Sequence, residues 1–392
     1  MSNAQRIYLD NNSTTLILPE VLEILLKTSK DIIGNPSSPH SFGWEAKKVV
    51  ETAREEVSLL IDTTPDSIIF TSGATESNNI ALQGIAGFLK KNSAINKLPL
   101  ILTSGIEHSS ILNVVKFLNN NNQCELKYLK CTQSGSVLPP EKLCSNQPTI
   151  ISIQLANSEM GCIQSIDSIA DSIDPEFRLV HSDITQGVGK VPFSLKSSSI
   201  DFASFTSHKI NGPKGIGALA AKSNDLLNLI QPLYHGGNHE KGLRPGTLPV
   251  PLIAAFGEAS KINRLRIEEN RKNLNHLCEK FHTGIINHIP DIKLFGPDFK
   301  NRLPGNLSYI IPDVKGIKLV SALSTRVAIS TGSACLSEQN ISSNVPVALG
   351  VNKNDSENII RIGIGVTNSI SEIDQAISII TDTIKSLRKN AQ

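Results

Sequence analysis

The sequence predicts an α/β protein: an open, mostly parallel sheet covered by helices, followed by a smaller α+β unit. Three observations carry this. Short apolar runs alternate with stretches whose apolar residues recur at helical spacing, the pattern of βα units and a parallel sheet. Polar residues capable of chemistry fall just past the ends of the apolar runs, where open α/β sheets bind ligands. The chain has 392 residues, more than one ordinary domain, yet no Pro-, Ser- or Gly-rich linker divides it. A large and a smaller lobe sharing an interface follow.

Residues 6–9 read as a strand, followed by the polar turn NNSTT. Pro19 opens a helix over 19–30 with Val21, Leu22, Leu25 and Leu26 on one face. GNPSSPH at 34–40 is loop by composition, and 41–61 is a long helix with a buried stripe from Val49 to Ile61. A buried strand at 67–71 runs into SGATES and a helix over 78–90. Strands are then predicted at 98–103, 125–130, 149–155, 178–181, 202–205 and 217–221, with helices at 109–118 and 166–173. The glycine-rich loop 234–246 precedes a long helix over 252–286 that connects the lobes. The C-terminal unit reads as strand 306–311, helix 315–323, strands 326–329 and 359–364, and a last helix over 371–388.

Composition excludes several classes. The formal charge of +2 comes from Lys and Arg interspersed with acidic neighbours, which argues against nucleic acid as a direct ligand. The six cysteines form no CxxC pair and no metal-ligand spacing. MSNAQ is not a signal or transit peptide, and no apolar run approaches the roughly 18 to 20 residues that span a bilayer. The expected compartment is the cytoplasm, with no membrane partner.

Chemistry concentrates in DFASFTSHKINGPKGIG at 201–217. Lys209 follows Ser, Thr and His and precedes Gly-Pro-Lys-Gly, a setting in which desolvation and nearby positive charge lower an amine's pKa and leave it nucleophilic toward a carbonyl. HSDITQ at 181–186 places an acid and an amide at the end of an apolar run, as a ring-nitrogen partner for pyridoxal phosphate would require. FTSGATES, strand then small residues then a helix start, is either a phosphate cup or an ordinary capped helix. His235 and His239 flank Gly236 and Gly237, but no third ligand lies at metal-site spacing, so no metal is expected.

The ordered set YLDNNSTT, GNPSS, FTSGATESNN, Glu107-His108, HSDITQGVGK, SHKINGPKGIGAL, HGGNHEKGLRPGTLPV, STGSAC, ALG and IRIGIG resembles the cysteine desulfurases of the NifS/IscS type. These are class V, fold type I pyridoxal 5'-phosphate enzymes, and the resemblance runs from about residue 7 to about residue 385. It implies a seven-stranded-type, mostly parallel sheet in a large domain at 16–256, with 1–15 and 257–392 forming the small domain. It implies Lys209 as the Schiff-base lysine, Asp183 on the pyridine nitrogen, His108 stacked on the ring, and Gln186 near the phenolic oxygen. Ala74, Thr75, Thr206 and His208 would hold the phosphate, joined by Thr247 from the neighbouring subunit of a homodimer. Arg361 and Asn35 would hold the carboxylate of L-cysteine. Cys335, in STGSAC, would take the sulfur as a persulfide, release alanine, and pass the sulfur to an iron–sulfur scaffold or a tRNA-thiolation relay.

The resemblance has departures. Ser158 stands where the family has the asparagine that approaches the phenolic oxygen, and Thr206 stands where serine is usual. Pro245 replaces a serine in the subunit-crossing loop, where Arg244 could also reach the partner. Three other readings remain open at this point. A selenocysteine lyase would use the same residues, an aminotransferase-like enzyme would not need Cys335, and a non-catalytic paralogue would bind partners only.

Overall fold

The computed structural model describes residues 6–92, 97–140, 147–174, 178–332 and 344–390. Its centre is a seven-stranded sheet built from β2 (Ile68–Thr71), β3 (Leu100–Ser104), β4 (Glu125–Leu129), β5 (Thr149–Ser152), β6 (Arg178–Asp183), β7 (Phe202–Thr206) and β8 (Gly217–Ala221). The strand order is β2-β8-β7-β6-β5-β3-β4. Neighbours from β4 to β7 are parallel, whereas β8 runs antiparallel to both β7 and β2. The runs IIFT, LILTS, TIIS, FASFT and GALAA are buried throughout, because helices cover both faces and leave no solvent side to alternate toward. Only β4, at the edge, is mostly exposed, and its charged residues discourage further strand pairing.

One face packs against α1 (Pro19–Asp31), α2 (Ser41–Leu60) and the first half of α6 (Val250–His288), with Val21, Val57 and Ile253 fully buried. Phe256 lies edge-on to Phe70 and Phe205, with ring centroids 6.3 and 5.7 Å away. The other face carries α3 (Ala74–Asn92) and α4 (Ser109–Asn120), which bury Ile80, Ile85, Ile111 and Val115. The short α5 (Ile166–Ala170) spans less than the expected 166–173.

The second lobe has its own core. β10 (Asn306–Ile310) pairs antiparallel with β12 (Ile359–Gly363) and β9 (Lys293–Leu294), while β1 (Ile7–Tyr8) pairs parallel with β11 (Val327–Ala328). Around them lie α7 (Gly316–Leu323), α8 (Asn344–Ala348), α9 (Lys353–Glu357) and α10 (Ile370–Lys389), the last opened by a Ser369/Glu372 capping box. Along α6 the large core reaches Ile262 and the small core begins at Leu274, so the handover between lobes falls inside one helix. Ile7 and Leu9 belong to the small core, which returns the N-terminus to this lobe.

The loop containing Tyr234 to Gly246 is fastened to the sheet by a buried ion pair. Arg54 donates to both Glu240 carboxylate oxygens at 3.0 and 2.7 Å and to the Ile68 carbonyl at 2.8 Å. Glu240 also accepts the Phe70 N–H at 2.7 Å, and the guanidinium sits 4.7 Å from the Phe70 ring centroid. Glu240 holds a left-handed φ of 46°, a conformation a glutamate adopts only when its surroundings impose it. Glu240→Ala leaves the buried Arg54 with only the half-exposed Glu51, 3.3 Å from its Nε, as a carboxylate partner, and is expected to cost about 3 kcal/mol in urea unfolding. A loss below about 1 kcal/mol would mean that Arg54 finds water or another partner.

Candidate active site

A cavity of about 470 Å³ opens where β2, β6 and β7 end and the N-terminal segment crosses from the small lobe. Wider hollows of about 770 and 740 Å³ lie elsewhere along α6, and neither contains this set of residues. Of the residues expected from sequence, Ala74, Thr75, His108, Ser158, Asp183, Gln186, Thr206, His208, Lys209 and Arg361 all line the smaller cavity. Asn35 and Thr247 are exposed and are not part of its lining in this single chain, and Cys335 lies outside the described residues.

Lys209 ends the single 3₁₀ turn that follows β7. Its amine donates to the carbonyls of Asn12 and Ser13 at 2.5 and 2.6 Å. Burial first, then the charges of Arg361 and Lys190, push its pKa down to about 7, against the pull of Asp10 and Asp183. At neutral pH a large share of this amine is therefore unprotonated and nucleophilic.

Asp183 closes β6. Its two oxygens accept from the Asn78 amide at 2.9 Å and the Thr185 N–H at 3.0 Å. The same Asn78 amide donates to Ser110 Oγ at 2.9 Å, which leaves the Ser110 hydroxyl proton for His108 Nδ1 at 2.8 Å. The Ser110 N–H points to that nitrogen too, at 3.2 Å. His108, the N-cap of α4, is thereby assigned the tautomer with its proton on Nε2. Desolvation lowers its pKa, Asp183 works against this, and Lys209 adds to it, so a neutral ring is favoured. The preceding Glu107 is buried, accepts from Ser104 and the Gln154 N–H, and is pushed up to about 8 chiefly by that burial.

The expected anion cup is present as geometry. β2 leads through Ser72 and Gly73 into α3, whose first-turn N–H groups have no intrahelical acceptors. Gly73 has a φ of 154°, and Gly217 lies so close that an added Cβ would meet its Cα at 2.6 Å. Only glycine fits at both positions. His208 Nδ1 lies 3.1 Å from Thr14 Oγ1, and burial together with Lys209 and Lys214 drives its pKa to about 4, leaving a neutral ring beside the cup. Thr206 donates its hydroxyl to the Ile216 carbonyl at 3.1 Å. Arg244 pairs with Glu76 of the same chain at 3.1 Å, and Glu76 also accepts from the Ser72 N–H. Burial opposes the Glu76 charge, but these donors outweigh it and hold the carboxyl below its ordinary value.

Arg361, in β12, donates to Asp10 at 2.8 Å and to Ser13 Oγ at 2.6 Å, while its Nε is buried without a partner. Gln186 donates to the Asn12 carbonyl at 2.9 Å and accepts from Lys190 at 3.2 Å. Ser158 is held by its backbone: its carbonyl accepts from Asn12 at 3.2 Å and Asn306 at 3.0 Å. Sequence reasoning passed over Asp10, Asn12, Ser13, Asn78, Lys190 and Lys214 as individuals. The one signal for the first three was the polar turn directly after a predicted strand. Among the described residues no group of three His, Cys, Asp or Glu side chains could hold a metal ion.

These residues fit pyridoxal 5'-phosphate by their chemistry: an anion cup, an acid at a strand end, a neutral imidazole, an amine of lowered pKa and a buried arginine. The cavity-lining Thr185 Oγ1 and Arg361 Nε are orphaned donors that a bound molecule would satisfy. The sequence family described as "Aminotransferase class-V" matches residues 7–376. "Cysteine desulfurase IscS" of Rickettsia typhi is 38% identical over 387 residues, covering 98% of this chain and 92% of the relative. The chain belongs to the aminotransferase class-V family. It groups with the IscS-like and NifS-like cysteine desulfurases, whose cofactor is pyridoxal phosphate. The Rickettsia bellii protein of the same description is 39% identical over 386 residues, covering 97% of this chain and 92% of the relative. A solved "NIFS-LIKE PROTEIN" superposes with a TM-score of 0.88 at 33% identity, covering 97% of this chain and all of the other. The NifS-like protein from Rickettsia africae gives 0.83 at 30%, with coverage of 97% and 100%.

As a class-V member the chain should show the Lys209 amine directly. The pKa of about 7 lies below the ordinary 10.5, so aldehyde uptake by the cofactor-free protein is expected to rise through pH 7. Absorbance of the resulting yellow protein checks this, and a midpoint near 10 would contradict it. Between about pH 7 and 10.5 the unfolded chain binds the proton that the folded chain lacks. This group alone therefore makes the cofactor-free fold gain stability as pH rises through that interval.

Proposed function

We propose that this protein is a cysteine desulfurase that converts L-cysteine to L-alanine and takes the sulfur onto Cys335. The observation that carries it is the neutral-leaning Lys209 amine in one cavity with Asp183, His108 and Arg361. The full-length similarity to proteins described as cysteine desulfurase IscS supports the same reaction.

When bound, pyridoxal phosphate supplies the electron sink that lets a Cα–H bond break. Asp183 would hold a proton on the ring nitrogen, and Asn78 and the Thr185 N–H fix its carboxylate. The α3 N-terminus, Thr75, Thr206 and His208 would hold the phosphate. The Lys209 amine would take the Cα proton as a general base. Arg361 exchanges part of its contact with Asp10 and Ser13 for the substrate carboxylate, aided by Asn35. The Cys335 thiolate forms a bond to the substrate sulfur as the substrate Cβ–S bond breaks, and its electron pair remains with the three-carbon fragment. Protonation of that fragment gives alanine. A thiol reductant, or an iron–sulfur scaffold or sulfur relay protein, then takes the terminal sulfur.

The protein acts as a homodimer in this reading, with Thr247 of one subunit completing the phosphate contacts of the other. Its exposure and its place outside the lining of its own cavity support that assignment.

Assays of alanine and sulfide from L-cysteine with dithiothreitol test the reading. Lys209→Ala is expected to lose both products. Cys335→Ala is expected to lose sulfide by at least about a hundredfold while keeping its yellow colour, and unchanged sulfide release would remove Cys335 from the mechanism. Arg361→Lys, which keeps the charge but loses the planar fork, is expected to raise KM for cysteine about tenfold. An unaltered KM would place the substrate carboxylate elsewhere.

A further inference from the structure

Lys190 does not line the cavity but bonds to Gln186, which does, and the reaction above has no use for it. It lies four residues after Gln186, and its ammonium donates to Gln186 Oε1 at 3.2 Å. Gln186 Nε2 in turn donates to the Asn12 carbonyl at 2.9 Å, which also accepts the Lys209 amine at 2.5 Å. One continuous chain of polar contacts joins the two lysines through a single amide and a single carbonyl.

The chemistry of the donors gives this chain a direction. An ammonium has donors only, so Lys190 can bind the oxygen end of the Gln186 amide and never the nitrogen end. With Lys190 in place, the NH₂ of Gln186 is turned toward Asn12 and the cavity, which Gln186 lines. Without it, Oε1 would lose its donor and only the Asn12 carbonyl would hold the amide in this sense, and a turned amide would present an acceptor to an anionic ring oxygen.

Charge is the second consequence. The groups acting on Lys209 are Arg361 from β12, Lys190 from the segment after β6, Asp10 from the N-terminal loop and Asp183 from β6. His108 at the start of α4 and His208 beside Lys209 are coupled to the lysine as well. Of these, only Arg361 and Lys190 drive the proton off Lys209. Arg361 is committed to Asp10 and to substrate, which leaves Lys190 as the cation whose placement is independent of turnover.

We propose that Lys190 is a positioning residue for this site: together with the Asn12 carbonyl it holds the Gln186 amide with its NH₂ toward the cofactor, and it adds to Arg361 a second positive charge acting on the Lys209 amine. The inference rests on Lys209 being the amine that carries the cofactor. Burial and Arg361 lower the pKa of Lys190 itself to about 8, with Cys278 opposing, so it remains largely charged at pH 7 while Lys209 gives up its proton.

The test uses cofactor-free protein titrated with pyridoxal phosphate from pH 6 to 10, read by the visible absorbance of the covalently bound cofactor. Lys190→Met is expected to move the midpoint of uptake up by about one pH unit and to weaken cofactor binding about tenfold. Lys190→Arg, which keeps charge and donor, is expected to restore both toward wild type. A Lys190→Met protein with the wild-type midpoint overturns the proposal. If circular dichroism shows that Met is not tolerated, Lys190→Gln, neutral but polar, is expected to show the same upward shift, and its absence overturns the proposal equally. Lys209→Ala should give no covalent band at any pH. A surviving band there would overturn the lysine assignment itself, and the proposal with it, whereas a wild-type midpoint in Lys190→Met overturns the role of Lys190 alone.

Discussion

Three basic side chains, Lys209, Lys190 and Arg361, are coupled within one partly desolvated region, and the carboxylates facing them there are Asp10 and Asp183. Such an arrangement cannot keep every proton. Arginine holds its charge at any accessible pH, so the lysines yield, and Lys209, with Arg361 and Lys190 both acting on it, yields first. The nucleophile is thus a product of burial first and of charge crowding second. Asp10 prevents the crowding from becoming ruinous by pairing with Arg361 at 2.8 Å, and the carbonyls of Asn12 and Ser13 receive whatever protons Lys209 retains.

All of these acceptors come from one short segment of the chain. Residues 10–15 leave β1 in the small lobe, bridge Asp10 to Gly363, and reach the large lobe where Thr15 binds the His208 carbonyl through its N–H and its hydroxyl. Asn12 adds a contact to the Ser158 carbonyl, and Asn306 reaches the same carbonyl from the small lobe. The site therefore exists only when both lobes are docked on this segment. Its position between two cores, joined by the single helix α6, makes lobe packing a determinant of lysine reactivity.

Much of this was legible in the sequence, and the boundary has a physical meaning. Period and composition report local burial, so the sheet strands, the amphipathic helices and the strand-end positions of Thr75, Asp183, Gln186 and Lys209 were all readable, whereas Thr206 was marked only by the family resemblance. The reversed direction of β8 was not, because strand direction depends on pairing and not on the apolar content of GALAA. The two-residue β9 and the five-residue α8 and α9 are too short to show a period. The expected strand at 326–329 contracts to Val327–Ala328, where its only partner, β1, is itself two residues long. Asn12 and Lys190 were missed for opposite reasons. Asn12 acts through a carbonyl on a residue 197 positions away, which no side-chain pattern records. Lys190 reads as an ordinary surface cation four residues from a glutamine.

The same contacts bear on Ser158, the departure that set this sequence apart. A serine in place of an asparagine removes an amide that would approach the cofactor's phenolic oxygen. In the structure the segment around Ser158 is nonetheless held in place without that side chain: Asn157 Oδ1 caps the N–H groups of Glu159 and Met160 at 2.8 and 2.9 Å, and the Ser158 carbonyl is doubly bound. What the substitution takes away is one donor, not the shape of the wall. In the reading proposed above, Gln186 is the amide assigned to the ring oxygen, and its orientation then matters more than it would beside an asparagine at 158. A donor-only lysine on its oxygen and the acceptor-only Asn12 carbonyl on its nitrogen agree on that orientation without any further side chain entering the cavity.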